Sequence, residues 1–273
     1  MKINLHPNGW TVILEDVNLA TSTTDELHKI SELCATYTCV KIRNQKLTVE
    51  REVEIAKSFK NPYQLVVPGH VKFQQFSLDN EGFICRVTED AIAGHKEEML
   101  WHNEMPSVRI GSDIAWLYAE RGVSGSVTVW NNTVVAYNEL SKDICEQIKD
   151  LKCIYFGNVN HSIARTDENF NNRKIYDVTV PLVHTNHLGM TGLHLSLHQF
   201  ERFEGMTREE SLKIAEPLFN FITQDKYCYF HEWQDGDVSM SDQWLGVHKR
   251  LHFEGMDNRL VHRATFNYPK ELQ

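Results

Sequence analysis

Two nearby residues, His102 and Glu104, carry side chains that can bind a metal ion. On a β-strand, residues two positions apart point to the same side, so this imidazole and this carboxylate can hold one cation together. A third ligand from His248 would complete a set of two histidines and one carboxylate on one face of the metal. That set leaves three coordination positions open and is typical of non-haem Fe(II) oxygenases. The His-x-Glu pattern alone is weak evidence, because a chain with 14 histidines produces it by chance.

The composition is that of a globular protein with a well-buried core. The chain has 273 residues, 41% of them hydrophobic, and no linker, repeat or low-complexity segment, which favours a single domain over 1–273. The net charge of -9, with no long basic run, argues against a nucleic-acid partner. Six scattered cysteines without a CxxC pair indicate reduced thiols rather than a disulfide framework. The sequence has neither the apolar run of a signal peptide nor a stretch as long as a membrane span, so we expect a soluble cytoplasmic protein with no membrane partner.

Hydrophobic periodicity predicts many short strands with a few helices between them. Helices are expected at about 24–36, after Thr48, at 136–151, and from Thr207 to about Ile222. Strands are expected at 10–14, 39–42, 83–87, 114–119, 126–130, 178–183, 193–197, 227–233 and 260–266. The stretch 61–100 is irregular, and we predict a substrate lid within it, with a plain surface loop as the alternative. This pattern favours a mainly β fold with helices, a two-sheet jelly roll with helical insertions.

Several motifs occur in a fixed order around the candidate ligands. They are Ile42-Arg43-Asn44-Gln45-x-Leu47-Thr48, Trp101-His102-x-Glu104, Ser126-Val127-Thr128-Val129-Trp130, Trp233-Gln234-Asp235-Gly236-Asp237, Asp242 six residues before His248, and Arg259-x-x-x-Arg263-Ala264-Thr265. This order resembles the taurine dioxygenase-like family of Fe(II)/2-oxoglutarate-dependent oxygenases over about residues 38–266. The resemblance implies a double-stranded β-helix (jelly roll) core with helices packed outside. It also implies Fe(II), 2-oxoglutarate as co-substrate, and O2.

Three features depart from the family's usual pattern. The family usually has Asp where this chain has Glu104, but clavaminate synthase-like members use Glu, so metal binding is unaffected. The usual basic residue two positions after Asp242 is Trp244 here. The segment before His102 matches no particular substrate subgroup, which leaves the substrate open. A carboxylate at position 104 also argues against a related halogenase, because those enzymes leave that position empty for chloride.

The resemblance assigns His102, Glu104 and His248 as iron ligands and Thr128 and Arg259 as anchors for 2-oxoglutarate. When the 2-oxo group and the adjoining carboxylate chelate iron, the far carboxylate must be held by the protein. Arginine offers a rigid, permanently charged fork that suits a carboxylate, and a threonine hydroxyl can donate one more hydrogen bond. The alternative for Arg259 is a solvent-facing salt bridge.

Arg263, Glu98 and Phe200 are the candidate substrate-binding residues. Arg263 lies four residues after Arg259, an even spacing that directs both side chains of a strand into one cavity, and related enzymes hold an anionic group of the substrate at this position. Glu98 lies four residues before His102 and faces the same cavity if the strand extends that far; a charge on a solvated lid is the alternative. An arginine and a glutamate across a pocket suit a small zwitterion, with a carboxylate or sulfonate and an amine. Phe200 can wall the pocket, with core packing as an equal alternative.

Other polar residues near these motifs are expected to be structural. Four further histidines cluster in the sequence without a ligand pattern, and we interpret them as ordinary polar or pocket residues: His184, His187, His194 and His198. Asp237 and Asp242 are expected to make turn or supporting hydrogen bonds rather than to bind metal.

The activity implied is a dioxygenase that hydroxylates an unactivated C–H bond of a small polar substrate, an amino acid or a sulfonate, with release of succinate and CO2. Desaturation or cyclisation within the same family is one alternative. A non-enzymatic jelly-roll binding module is another, and the intact metal set together with Thr128 and Arg259 counts against it. The substrate, the pathway and the oligomeric state, a homo-oligomer included, stay open.

Overall fold

The computed structural model describes residues 1–64, 77–87, 98–104, 113–155, 178–197, 199–254 and 258–269, which are mainly β with a few helices. The strands are β1 (Lys2–Leu5), β2 (Thr11–Glu15), β3 (Cys39–Ile42), β4 (Cys85–Val87), β5 (Met99–His102), β6 (Ile114–Arg121), β7 (Val127–Asn131), β8 (Lys152–Tyr155), β9 (Val178–Pro181), β10 (Val183–Thr185), β11 (Thr191–Leu193), β12 (Phe200–Phe203), β13 (Cys228–Glu232), β14 (Val238–Asp242), β15 (His248–Arg250) and β16 (Leu260–Phe266). The helices are α1 (Thr24–Tyr37), α2 (Val49–Ser58), α3 (Thr133–Asn138), α4 (Lys142–Ile148) and α5 (Arg208–Ile222), followed by a short 3-10 turn at Asp225–Tyr227.

Two sheets carry the architecture. The larger has seven strands in the order β1-β2-β3-β14-β6-β16-β4, and the smaller has four in the order β13-β7-β15-β5. From β4 to β7 and again from β13 to β16, the chain repeatedly crosses between these two sheets, and neighbouring strands of this part are antiparallel. This order is compatible with the predicted jelly roll. A three-stranded sheet, β12-β8-β9, and the hairpin β10-β11 lie outside the two main sheets.

The helices begin where their capping residues predict. Thr23 and Glu26 form a reciprocal capping box at the start of α1, and Thr207 and Glu210 form another at the start of α5. Thr48 caps α2 by accepting a hydrogen bond from the backbone N–H of Arg51. The apolar faces of α1 and α2 pack on the larger sheet. The predicted helices α1, α2 and α5 are therefore confirmed.

Three buried clusters show which face of each sheet meets which neighbour. On β3, Val40 and Ile42 contact the helices in the first cluster, while Cys39 belongs to a cluster that also contains aromatic residues of the smaller sheet. Because strand side chains alternate, Lys41 points with Cys39 into the space between the two sheets. A third cluster packs α5 on the three-stranded sheet. The helices thus cover the outside, and the space between the two main sheets is where a site can form.

A buried group of charges fastens α2 to the larger sheet. Glu52 on the helix lies 2.5 Å from Nδ1 of His262 on β16, and Nε2 of His262 lies 2.8 Å from a carboxylate oxygen of Glu120 on β6. The indole N–H of Trp116 also donates to Glu52. Burial raises the pKa of the Glu52 carboxyl, against the opposing effect of His262. The buried imidazole of His262 therefore has one carboxylate partner on α2 and one on β6, and these contacts offset the cost of burying it.

Three expectations from the sequence differ in detail. The expected helix at 136–151 is two short helices, because the Ser141 side chain accepts the N–H of Ile144 and starts a new one. The expected strand at 193–197 ends at Leu193, because Ser196 bonds through its backbone N–H to the Tyr155 hydroxyl and through its own hydroxyl to Gln199. The strands near 114–130, expected to be joined by a turn, belong to different sheets.

Some predictions lie wholly or partly outside the described residues. The predicted lid is one of these, because the described residues exclude 65–76 and 88–97, so the lid stays a prediction. The role expected for His198 also lies outside the described residues. No helix in the described ranges is long and apolar enough to cross a membrane.

We expect Glu52→Ala to lower the free energy of unfolding by about 3–5 kcal/mol, because it leaves the buried His262 without one carboxylate partner. Glu54→Ala, in the same helix but on its exposed side, is the matched control and should change stability by less than about 1 kcal/mol. Urea denaturation of both variants measures the difference. Equal effects of the two substitutions would contradict the role given to the buried charge group.

Candidate metal centre

His102, Glu104 and His248 come together on the inner side of the smaller sheet. His102 and His248 are paired in register across β5 and β15, and their ring centroids are 4.3 Å apart. Oε1 of Glu104 lies 3.8 Å from Nε2 of His102 and 3.7 Å from Nε2 of His248. All three side chains are buried, and among the described residues they form the one group of this kind that can hold a metal ion, with ligand atoms within 4.8 Å of one another.

The tautomer of His102 suits metal binding. Its Nδ1 lies 2.7 Å from the carbonyl oxygen of Leu100, and a carbonyl can only accept, so Nδ1 carries the proton. In the neutral form of the ring, Nε2 is then the nitrogen that can bind a metal, and it points toward Glu104. A backbone acceptor on the far nitrogen is the usual way in which a protein fixes the orientation of a histidine ligand.

Asn103, between the two ligands of the His-x-Glu pattern, joins them to the segment that leads to the third ligand. Its side-chain N–H groups donate to the carbonyl oxygens of Gln243 (2.6 Å) and Gly246 (2.7 Å). The Gln243 side chain in turn accepts the backbone N–H of Glu104 at 2.8 Å. These bonds connect segments about 140 residues apart in sequence and set their spacing at the metal site.

The carboxylate of Glu104 has a separate partner for each oxygen. Nη1 of Arg263 donates to Oε2 at 2.7 Å, while Oε1 faces the two imidazoles. Burial alone would raise the pKa of this carboxyl, but the charge of Arg263 and the contacts with His102 and His248 hold that pKa well below its usual range. Burial and the neighbouring His102 lower the pKa of His248 to about 4. At neutral pH the site therefore offers an anionic carboxylate and a neutral imidazole, the forms that bind divalent metals.

Two further cationic side chains, Arg250 on β15 and Arg259 directly before β16, lie close enough to interact electrostatically. Arg259 is buried; its Nη1 donates to the carbonyl oxygen of Val87 at 3.2 Å, and its Nε has no hydrogen-bond partner within the described part of the chain. Oγ1 of Thr128 accepts the indole N–H of Trp233 at 2.8 Å, which leaves the Thr128 hydroxyl proton available to a further acceptor. Burial, together with the nearby charge of Arg250, lowers the pKa of Arg259 to about 10. The unpaired Nε–H of Arg259 and the nearby positive charge of Arg250 are features that can bind a carboxylate.

The sequence analysis missed three residues of this site. Arg250 lies two residues after His248, so strand alternation alone could have placed it on the same side, where it pairs in register with Thr128. Asn103 and Gln243 carried no such signal, because their role depends on contacts between distant segments.

Glu98 does not enter the site, and this corrects the expectation from even spacing. His102 pairs with His248 and Met99 pairs with Arg250, so three residue positions on β5 match only two on β15. This β-bulge breaks the alternation of side chains along β5. The Glu98 carboxylate is about half exposed and pairs with Nζ of Lys249 at 2.6 Å. Lys249 adjoins His248 in sequence and therefore points to the outer face of the sheet. Glu98 thus lies outside the cavity that contains the metal ligands.

Phe200 is a core residue. It is fully buried in the cluster beneath α5 and makes edge contacts with the rings of Tyr155 and Phe203. Its position is the one expected from the alternative of core packing. Trp130 is the aromatic residue beside the ligands, since its ring stacks on that of His248 with centroids 5.9 Å apart.

Four of the remaining polar residues have structural contacts. The His184 ring stacks on Trp244, the His194 ring lies tilted against the same indole, and burial lowers the pKa of each histidine, to about 4 and about 3. The Asp242 carboxylate accepts the backbone N–H groups of residues 244 and 245, and the Asp237 carboxylate accepts that of residue 234. Both aspartates therefore support turns, as the sequence predicted.

Comparison with known proteins decides the family. The sequence model described as "Taurine catabolism dioxygenase TauD, TfdA family" matches residues 5–265. The chain belongs to this family. Its members' chemistry and the geometry of the site agree: this is an Fe(II)- and 2-oxoglutarate-dependent dioxygenase, with a His-Glu-His set that can hold the metal.

Individual relatives are distant in sequence. The chain is 23% identical over 280 residues to an alpha-ketoglutarate-dependent 2,4-dichlorophenoxyacetate dioxygenase of Cupriavidus pinatubonensis, covering 96% of this chain and 95% of the relative. It is 26% identical over 152 residues to an alpha-ketoglutarate-dependent sulfate ester dioxygenase of Pseudomonas putida, covering 52% and 50%. Among solved structures, that of AAD-2 in complex with Mn(II) and N-oxalylglycine has a TM-score of 0.82 at 20% identity and covers 98% of both chains, which shows a shared fold.

We expect Ala at position 102, 104 or 248 to weaken Mn(II) binding by more than about 100-fold, since supporting residues alone are worth 10–100-fold in metal affinity. His252→Ala, an exposed histidine four residues after His248, is the control and should bind Mn(II) like the wild type. Titration calorimetry gives the affinities, and circular dichroism shows whether each variant is folded. Wild-type affinity in two of the three folded ligand variants would refute the assignment.

Proposed function

We propose that this enzyme hydroxylates a C–H bond of a small organic anion, a carboxylate, sulfonate or sulfate ester, amino acids included. The observation that carries the proposal is the arrangement around Glu104, with two imidazoles on one oxygen and the Arg263 guanidinium on the other. A cationic side chain next to the metal ligands can hold an anionic substrate group close to the reacting centre. We further propose that the two main sheets form the jelly roll of this family.

In this proposal His102, Glu104 and His248 hold Fe(II). Thr128 and Arg259 hold the far carboxylate of 2-oxoglutarate, Thr128 through its free hydroxyl proton and Arg259 through its unused Nε–H. When bound, iron, 2-oxoglutarate and O2 together supply the oxidant, and succinate and CO2 are released. The protein's part is to bind, orient and keep water out of this buried space.

Arg263 is the residue proposed to meet the substrate. Its side chain is 19% exposed, so its contact with Glu104 does not enclose it completely. A guanidinium has five N–H donors, and one bond to Glu104 leaves others for an incoming anion. The relatives support an anionic substrate, because 2,4-dichlorophenoxyacetate and sulfate esters, named as their substrates, are both anions. The amine-binding half of the predicted zwitterion site has no support, since Glu98 pairs with Lys249 outside the cavity.

Desaturation or cyclisation uses the same residues and remains the alternative outcome of the same reaction. A binding module without activity is not supported, because the family match and the buried His-Glu-His group both point to a dioxygenase. The anaerobic addition of Fe(II) and 2-oxoglutarate separates the two classes. A weak visible band from the chelate is expected for the enzyme and not for a binding module.

We expect Arg259→Ala to weaken 2-oxoglutarate binding at least about 30-fold, because removing one partner of a buried charge pair costs about 2–5 kcal/mol. Its affinity for Mn(II) alone should stay within about threefold of wild type. Arg121→Ala, an exposed arginine on the neighbouring strand β6, is the control and should change neither affinity. A collapse of Mn(II) affinity with unchanged 2-oxoglutarate affinity would contradict the assignment of Arg259.

A substrate screen scored by succinate formation tests the substrate class. Each small carboxylate, sulfonate or sulfate ester is paired with an uncharged amide or ester of the same skeleton. We expect succinate formation above background with the anion and not with its uncharged partner. For any substrate found, Arg263→Lys should raise KM by at least about tenfold, since an ammonium cannot bind an anion in the bidentate manner of a guanidinium. Preference for the uncharged compounds would refute the substrate class and leave the dioxygenase assignment intact.

A further inference from the structure

Lys41 is a buried cation between the two main sheets. It lies on β3, and its side chain is 1% exposed. Its Nζ donates to the hydroxyl of Ser239 at 2.6 Å and lies 3.0 Å from the centroid of the Trp130 ring. Burial lowers the pKa of Lys41 to about 8, which still leaves it mostly protonated at neutral pH.

This ammonium has no carboxylate in an ion pair with it anywhere in the described ranges. The carboxylate that acts on it electrostatically, Asp237, already binds Arg43 and His231, and the thiols of Cys39 and Cys34 act on it as well. A buried charge without a carboxylate counter-ion is costly, and the Ser239 hydroxyl, the Cys39 thiol and the ring faces of Trp130, Tyr229 and Trp233 offset only part of that cost. An apolar side chain would fill the same space at lower cost. The charge itself therefore calls for a functional explanation.

The Trp130 ring connects Lys41 to the metal centre. Trp130 and His248 are paired in register on β7 and β15, and their rings stack with an interplanar angle of 20°. One aromatic ring thus separates the ammonium from a metal ligand.

We propose that Lys41 supplies a fixed positive charge that strengthens binding of the dianionic co-substrate at the metal centre, acting across Trp130. This inference rests on the proposed role of the site in binding 2-oxoglutarate. A fixed cation at this position attracts the co-substrate dianion and mildly repels the metal cation. Removing it should therefore change the two affinities in opposite directions. A merely structural lysine would change both in the same direction, together with the stability of the fold.

The test is titration calorimetry with Mn(II) alone and then with N-oxalylglycine on the Mn(II)-loaded protein. Lys41→Met removes the charge and keeps an unbranched chain of similar length. We expect its N-oxalylglycine dissociation constant to rise about tenfold, the effect of one charge at a separation on the order of 10 Å in a protein interior. Mn(II) alone should bind as tightly as to wild type or more tightly. The midpoint of thermal unfolding should not fall, because an apolar replacement of a buried ion is often neutral or stabilising.

Two further variants separate charge from shape. Lys41→Arg keeps the charge and should restore N-oxalylglycine binding to within about threefold of wild type. Lys249→Met is the matched control: Lys249 also adjoins His248 and lies 5.3 Å from the Trp101 ring, but on the outer face and paired with Glu98. Its loss should leave both affinities unchanged, since this charge is already paired with Glu98 and lies on the outer face of the sheet.

The outcomes are distinct. Wild-type N-oxalylglycine affinity in Lys41→Met would overturn the inference, as would parallel losses of Mn(II) and N-oxalylglycine binding with a lower unfolding midpoint. An N-oxalylglycine affinity in Lys41→Arg as low as in Lys41→Met would overturn it too. Failure of the wild type itself to bind N-oxalylglycine in the presence of Mn(II) would instead refute the proposed function on which the inference rests.

Discussion

The ion pair between Glu104 and Arg263 is the interaction on which the site depends. Glu104 follows β5 of the smaller sheet, and Arg263 lies on β16 of the larger one, so the bond spans the space between the sheets. It also decides which carboxylate oxygen is left for a metal, because Arg263 occupies Oε2 and the imidazoles face Oε1. The Arg263 charge opposes the effect of burial, which alone would favour the protonated carboxyl and so weaken it as a ligand.

The distribution of apolar residues explains why charged groups can collect here. The larger sheet packs its outer face on α1 and α2, and α5 packs with the three-stranded sheet into a separate cluster. The facing inner surfaces instead carry Thr128, His248 and Arg250 from one sheet and Lys41 and Arg263 from the other. Helices on the outside thus supply much of the hydrophobic stabilisation. The space between the sheets holds polar side chains, whose burial costs energy, beside the aromatic rings of Trp130, Tyr229 and Trp233.

The parts of this structure that depend on local sequence could be predicted. Helix starts at Thr23, Thr48 and Thr207 follow from capping chemistry over three or four residues, and His102 and Glu104 share a side because two residues of one strand do so. The third ligand, His248, was found only because the order of motifs resembles a family. Nothing in its own neighbourhood distinguishes it from the other histidines.

The parts that failed or were missed depend on pairing between distant segments. Glu98 was misplaced because a bulge between β5 and β15 is a property of two strands together, invisible in either sequence. Asn103 was missed because its value lies in bonds to Gln243 and Gly246 on another segment.

Arg263 shows how one side chain can serve both the metal ligand and the substrate. Its bond to Glu104 restricts the movement of the guanidinium, so the directions of the remaining N–H donors are limited before any substrate arrives. An anion that binds those donors is held at a set distance from the carboxylate that carries the metal, and the carbon atoms next to the anionic group are thereby brought near the reacting centre. Lysine could neutralise Glu104 equally well, but its ammonium is a point charge on a flexible chain and fixes no direction. The requirement for a planar, multiply donating cation at this position therefore follows from the two tasks together, and neither task alone would impose it.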